Sequence, residues 1–156
     1  MVKVLVAYES KYGNTKRVAE KIVEGMSKVK GVEADVSEIK QVDLGRVPDY
    51  DAILVGSPNH FGGPTRGAKK FVDKLGKLDL KGKSVAAFDT YIDKDFEMAM
   101  KKLEKKIGEK IPGSKLLAPG LSVKIPGKGM AKGPVSEEEL SKSVEFGKKI
   151  ATQFKA

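Results

Sequence analysis

Three short stretches of this chain are apolar almost without interruption: Val2–Tyr8, broken only by Lys3, then Ala52–Gly56 and Val85–Phe88. A strand with one wet face alternates apolar and polar residues, whereas a strand apolar at nearly every position is covered on both faces. Segments of helical periodicity separate these runs. In 15–29, Val18, Ala19, Ile22, Met26 and Val29 share one side, and Gly31 follows as a stop signal. Lys16, Arg17, Glu20, Lys21, Glu24 and Lys28 lie mostly opposite them. Strands alternating with helices join through right-handed crossovers into a parallel sheet with helices on both faces.

The rest of the chain fits that plan. Val32, Ala34 and Val36 alternate with Glu33, Asp35 and Ser37, the pattern of an edge strand. Gly45 and Pro48 leave 40–50 room only for a turn or a very short helix. A helix is expected to start at Gly63-Pro64, to bury Ala68, Phe71, Val72 and Leu75, and to stop at Gly76. Another is expected from near Asp93, burying Phe96, Met100, Leu103 and Ile107 and ending at Gly108. Residues 115–125 read as a fifth strand interrupted by Pro119-Gly120, which suits only an edge. Ser136-Glu137-Glu138-Glu139 is a capping box for a last helix with Leu140, Val144, Gly147, Ala151 and Phe154 inward. The expected architecture is a single α/β domain over 1–156, three layers deep and doubly wound. Its five-stranded parallel sheet takes the order 2-1-3-4-5.

Such sheets bind ligands beyond the carboxyl ends of the strands, where the winding reverses between strands one and three. The loops there are 9–15, 57–63 and 89–94. The first carries Ser10, Tyr12 and Thr15 hydroxyls and Gly13 between a strand and a helix. Helix N-termini present unpaired N–H groups and partial positive charge, so this loop reads as an anion site, best suited to a cofactor phosphate.

Composition removes other chemistries. With no cysteine, thiol catalysis, disulfides and thiolate metal sites are excluded, and a lone histidine, His60, leaves no cluster for a transition metal. No apolar run approaches the length that spans a bilayer. The chain opens directly into a strand without a signal-peptide pattern, so the cytoplasm is the expected compartment and a monomer the default. Thirty basic against twenty-one acidic residues give +9, yet the lysines are scattered over helices and aromatics are 6%. A solvated lysine surface explains that better than a nucleic-acid site. No Ser–His–Asp set suggests a hydrolase. Glu9 stands without the acidic pair that a response regulator needs at the end of strand one. The glycine-rich 126–134 lacks the strand–helix context of a nucleotide motif and reads as a loop.

At this level the chain resembles the flavodoxin family. Ser10-Lys11-Tyr12-Gly13-Asn14-Thr15 is similar to that family's hydroxyl-x-hydroxyl-Gly-Asn-Thr phosphate loop. Ser57-Pro58-Asn59-His60-Phe61-Gly62-Gly63-Pro64 is similar to its second loop, particularly in the flavin domains of A-type flavoproteins. The resemblance implies non-covalent FMN and one- or two-electron transfer. It places the cofactor among Ser10–Thr15, Ser57–Gly63 and Asp89, Thr90 and Tyr91. Tyr91 is the candidate for one ring face, and Phe61 or His60 for the other, where the family's usual tryptophan is absent. Phe61 as a core anchor, with Gly62-Gly63 a plain turn, is the competing reading. Gly62 and Gly63 would let a peptide near the ring reorient as the flavin gains a proton. His60 reads as a loop residue touching ring or solvent rather than an acid–base catalyst, because no acidic partner is near it in sequence. Asp93 reads as a helix cap, with Asp95 and Glu97 complementing the dipole.

Three functions follow. An electron carrier between redox proteins is the first. An NAD(P)H-dependent quinone or flavin reductase on the same scaffold is the alternative, and a flavin-free interaction module is the third. Because the chain is +9, its redox partner is expected to be acidic, ferredoxin-like or a reductase.

Overall fold

The computed structural model describes residues 1–92, 94–126 and 133–154. Strand β1 (Val2–Tyr8) leads into helix α1 (Asn14–Ser27) and strand β2 (Val32–Glu38). Two short 3-10 helices, Ile39–Gln41 and Leu44–Asp49, occupy the ambiguous segment before β3 (Ala52–Pro58). Helix α2 (Arg66–Leu75), β4 (Ser84–Tyr91) and α3 (Met98–Lys110) follow. The short β5 (Lys115–Leu116), β6 (Leu121–Lys124) and α4 (Glu137–Phe154) close the chain. All strand pairs are parallel, in the order β2-β1-β3-β4-β5, with β6 also paired to β4.

Period-two alternation along the central strands divides the interior. Val4, Val6, Ala52, Leu54, Ala86 and Phe88 face one core, shared with Val18, Ile22 and Met26 of α1 and Leu140 and Ile150 of α4. Leu5, Ala7, Ile53, Val55, Val85 and Ala87 face the other, against Phe71, Val72 and Leu75 of α2 and Met100, Leu103 and Ile107 of α3. The near-continuous apolar runs within β1, β3 and β4 therefore reflect two cores. At the α1–α4 contact, a Cβ on Gly25 would collide with the Val144 carbonyl, and one on Gly147 with the Ile22 carbonyl. Two glycines thus let these backbones touch.

Four expectations are corrected. Helix α2 starts two residues later than Gly63-Pro64, because Thr65 is its N-cap and accepts from the Ala68 N–H at 3.1 Å. Helix α3 starts at Met98 and runs through Gly108 to Lys110, leaving Phe96 outside it and 55% exposed. The expected single fifth strand is two segments on either side of Pro119-Gly120, each pairing a different part of β4. In α4, Val144 and Phe154 are only half-buried, and Ser143 and Ile150 sit deeper. The cap assigned to Asp93, and most of the glycine-rich loop at 127–132, lie outside the described residues.

Candidate functional site

The carboxyl ends of β1, β3 and β4 open into one cleft of about 1420 Å³. Its floor is fixed by three elements meeting. The Glu9 N–H donates to the Gly56 carbonyl at 3.0 Å, and the Thr65 hydroxyl donates to the Glu9 carboxylate. The Thr65 N–H donates to Ser57 Oγ at 3.0 Å. Thr65 thereby ties the ends of β1 and β3 to the start of α2.

On the β1 side, Gly13 has φ +90°, a left-handed conformation open to glycine at little cost, and its N–H donates to Ser10 Oγ at 3.0 Å. This turn aims α1 into the cleft. The helix has no side-chain cap and no acidic residue in its first turn, so its N-terminal dipole is not answered by a carboxylate. Thr15 is buried with its hydroxyl 3.0 Å from that of Thr90. Asn14 is buried too, but its Oδ1 accepts from the Val135 N–H at 3.2 Å and so braces the segment before α4.

On the β3 side, His60 and Gly63 exchange backbone hydrogen bonds of 2.7 and 3.2 Å around Phe61 (φ +53°) and Gly62 (φ +71°). Positive φ at both central residues marks a tight mirror-image turn. Phe61 is 97% exposed and edge-on to His60 at 4.6 Å, which overturns the core-anchor reading. The turn rests on α3: Lys102 Nζ donates to the Gly62 carbonyl at 2.8 Å. Asn59 joins it to β4, since its N–H and Nδ2 both donate to the Thr90 carbonyl, at 3.0 and 2.9 Å.

Twelve of the sixteen expected residues line this cleft: Ser10, Lys11, Tyr12, Asn14 and Thr15; Pro58, Asn59, His60, Phe61 and Gly63; Thr90 and Tyr91. The other four do not. Gly13 and Gly62 shape their turns and Ser57 is committed to Thr65. Asp89 is fully buried beneath, accepting from Ser122 Oγ at 2.5 Å and the Met100 N–H at 2.8 Å. Burial pushes the Asp89 carboxyl from 3.8 up to about 6, although its hydrogen bonds with Ser122, Met100 and Asn59 favour its charged form. Tyr91 meets Phe96 edge-on at 5.4 Å, and burial raises its phenol.

Sequence reading did not single out Thr65, Arg66, Lys69, Lys94, Lys102 or Lys106, all of which line the cleft. Thr65 carried a signal, a hydroxyl immediately before an amphipathic run. The cations carried none, since Arg66, Lys69, Lys102 and Lys106 lie on helix faces that read as solvated and Lys94 lies in the loop before α3.

Among the described residues no helix is long and apolar enough to cross a membrane, and no group of three or more His, Asp or Glu side chains could hold a metal ion. A doubly wound parallel sheet, with an uncapped helix N-terminus and a hydroxyl-bearing loop opening into a cleft at its switch point, is the setting in which α/β proteins of this class bind their ligands. Residues 5–124 match the family model described as a flavodoxin domain, and the chain belongs to the flavodoxin family, whose members bind FMN. A flavodoxin from Clostridium saccharobutylicum is 32% identical over 89 residues, 57% of this chain. That match spans 56% of the relative's own length. The structure of a flavodoxin from the domain Archaea is similar with a TM-score of 0.84 and 29% identity, covering 99% of this chain and 100% of that one. Oxidised flavodoxin 2 from Bacillus cereus gives 0.75 and 29%, over 99% and 98%. The flavodiiron protein from Giardia intestinalis shares the fold at 0.79 and 20%, over 97% of this chain and 36% of its own.

Proposed function

We propose that this cleft holds FMN and that the chain is an electron carrier between redox proteins, acting as one monomeric flavin domain in the cytoplasm. One observation carries the reading: α1, uncapped and without a first-turn carboxylate, opens into the cleft behind a loop of three hydroxyls. That donor set fits a phosphate monoester. An anion there answers the helix dipole and meets a loop that lines the cleft with Ser10, Tyr12 and Thr15, with no acidic side chain in 10–15 to repel it. The remaining cleft wall, Pro58 to Gly63 with Tyr91, offers aromatic faces and backbone polar groups, the chemistry a flat ring with polar edges requires.

When bound, FMN supplies reversible one- or two-electron transfer. The protein's part is to hold and orient it. Thr90 fixes the Thr15 hydroxyl through their mutual hydrogen bond, and Tyr91 presents its ring at the end of β4, steadied by Phe96. The positive-φ turn at Phe61-Gly62 places a glycine where a peptide can reorient, and Asn59 and Lys102 anchor it at both ends. The partner is an acidic redox protein, ferredoxin-like or a reductase, in keeping with the +9 charge.

The test is anaerobic mixing of the FMN-loaded protein with NADH or NADPH. A carrier keeps its yellow colour over seconds and loses it only when a reduced protein partner is added. Bleaching by the nicotinamide alone on a catalytic timescale overturns the carrier reading in favour of a reductase. Colourless protein that ignores added FMN overturns both.

A further inference from the structure

Among the described residues, large apolar side chains that are exposed to solvent are few and mostly gathered in one place. Of six exposed among the described residues, Tyr12, Phe61, Phe96 and Met98 surround the mouth of the cleft, and only Met1 and Val36 lie apart. Tyr12 and Phe61 line the cleft, Phe96 meets Tyr91 edge-on, and Met98 Cε lies 3.1 Å from where a Cβ on Gly62 would be. Phe61 combines two costs. A bulky side chain is held at φ +53°, and its ring is 97% exposed to water. Contiguous apolar surface of this kind marks a contact site, whereas scattered apolar residues do not.

The surrounding charge is one-sided. Six cations line the cleft (Lys11, Arg66, Lys69, Lys94, Lys102 and Lys106) against only Glu9 and Asp95. The Glu9 carboxylate is taken up by Thr65, and Lys106 pairs with Asp73 at 3.1 Å. Among the described residues no ion pair engages Arg66, Lys69 or Lys94. An aromatic centre within a charged rim is the anatomy of a protein–protein contact.

We propose that the cleft mouth is the docking face for an acidic protein. Its carboxylates would meet the α2–α3 lip at Arg66, Lys69 and Lys102 and the Lys94 loop, and an apolar spot would cover Phe61. The net charge alone gave the sign of the partner; the structure adds the place and the anchor. This rests on the carrier reading, since the partner is the protein that exchanges electrons across the cleft edge. A second copy of the chain fits poorly, because it would set one cationic rim against another. A nucleic acid backbone would satisfy the lysines and leave Phe61 and Met98 exposed.

The experiment uses the FMN-loaded, 15N-labelled protein and an oxidised, strongly acidic bacterial ferredoxin as probe. Amide shifts should concentrate in 60–63, 66–69 and 94–98. Affinity should weaken roughly tenfold or more from low to high salt, since such contacts are screened. Lys69→Glu with Lys94→Glu should weaken it about tenfold at low salt, and Phe61→Ser should weaken it at every salt concentration. Shifts centred on another face, a salt-independent affinity, or a tightly bound second copy in place of the probe would overturn the docking face. Docking as described without electron exchange from the reduced probe would leave the face standing and sink the carrier reading instead.

Discussion

The Asp89 carboxylate at the end of β4 accepts the Met100 N–H at 2.8 Å, so the first turn of α3 is capped by a residue from a neighbouring strand. The helix's own N-cap, Glu97, has φ +62° and makes no side-chain cap. Asn59 Oδ1 accepts from Ala99 N–H and Ser122 Oγ from Glu97 N–H, both at 2.9 Å. Three elements that meet at the cleft floor thus define where α3 begins.

Burial holds the proton on Asp89 up to about pH 6, above its ordinary 3.8. The folded chain therefore binds this proton more tightly than the unfolded chain. Its contribution to stability is full below about pH 4 and is lost as pH rises through about 6. The span corresponds to about 3 kcal/mol. Asp89→Asn keeps an acceptor for Met100 and cannot ionise. Urea midpoints of variant and parent, compared at about pH 4 and about pH 7, should move in the variant's favour by about 2–3 kcal/mol at the higher pH. An equal difference at both would contradict this account.

Asn59 spends both ends of its amide, one on the α3 N-terminus and one on the Thr90 carbonyl. Asn59→Ala should lower stability by about 1–2 kcal/mol with an unchanged denaturant slope. An unchanged urea midpoint would mean that these contacts contribute little.

Gly147 lies against the Ile22 carbonyl with no space for a methyl group. Gly147→Ala would improve helix propensity at an ordinary site, yet here it should destabilise by about 1–3 kcal/mol as α1 and α4 are pushed apart. Thermal denaturation decides the sign.

Thr15→Val keeps the shape of a buried side chain and removes the hydroxyl that faces Thr90. Losing one charge-assisted hydrogen bond, about 1.5–3 kcal/mol, should weaken FMN about 10- to 100-fold. Riboflavin, which carries no phosphate, should bind both proteins alike. An equal loss for the two ligands would place Thr15 away from the phosphate.

Much of the fold was legible because both faces of the sheet are covered. The near-continuous apolar runs in β1, β3 and β4 could only be central strands, and the alternation in β2 only an edge. The loops at 10–15 and 58–63 were legible because hydroxyls and glycines follow strand ends directly. The start of α3 was not. Phe96 lies four residues before Met100 and mimics a core position, while the caps that decide the boundary come from Asn59, Asp89 and Ser122, distant in sequence. Asp89 looked like a ligand group because it ends a central strand, but β4 turns it downward into the core. The cationic lip stayed hidden for a related reason: Lys69 and Lys102 belong to different helices, and only the packing of α2 beside α3 brings them to one cleft.

The central claim is that the turn before α1 holds the phosphate of FMN. Titrating flavin-free protein with FMN and with riboflavin, following quenching of flavin fluorescence, tests it most directly. The account predicts stoichiometric FMN binding and riboflavin binding weaker by at least about a hundredfold, the worth of two or more phosphate hydrogen bonds. Equal affinity for the two flavins, or no binding of either, would contradict it.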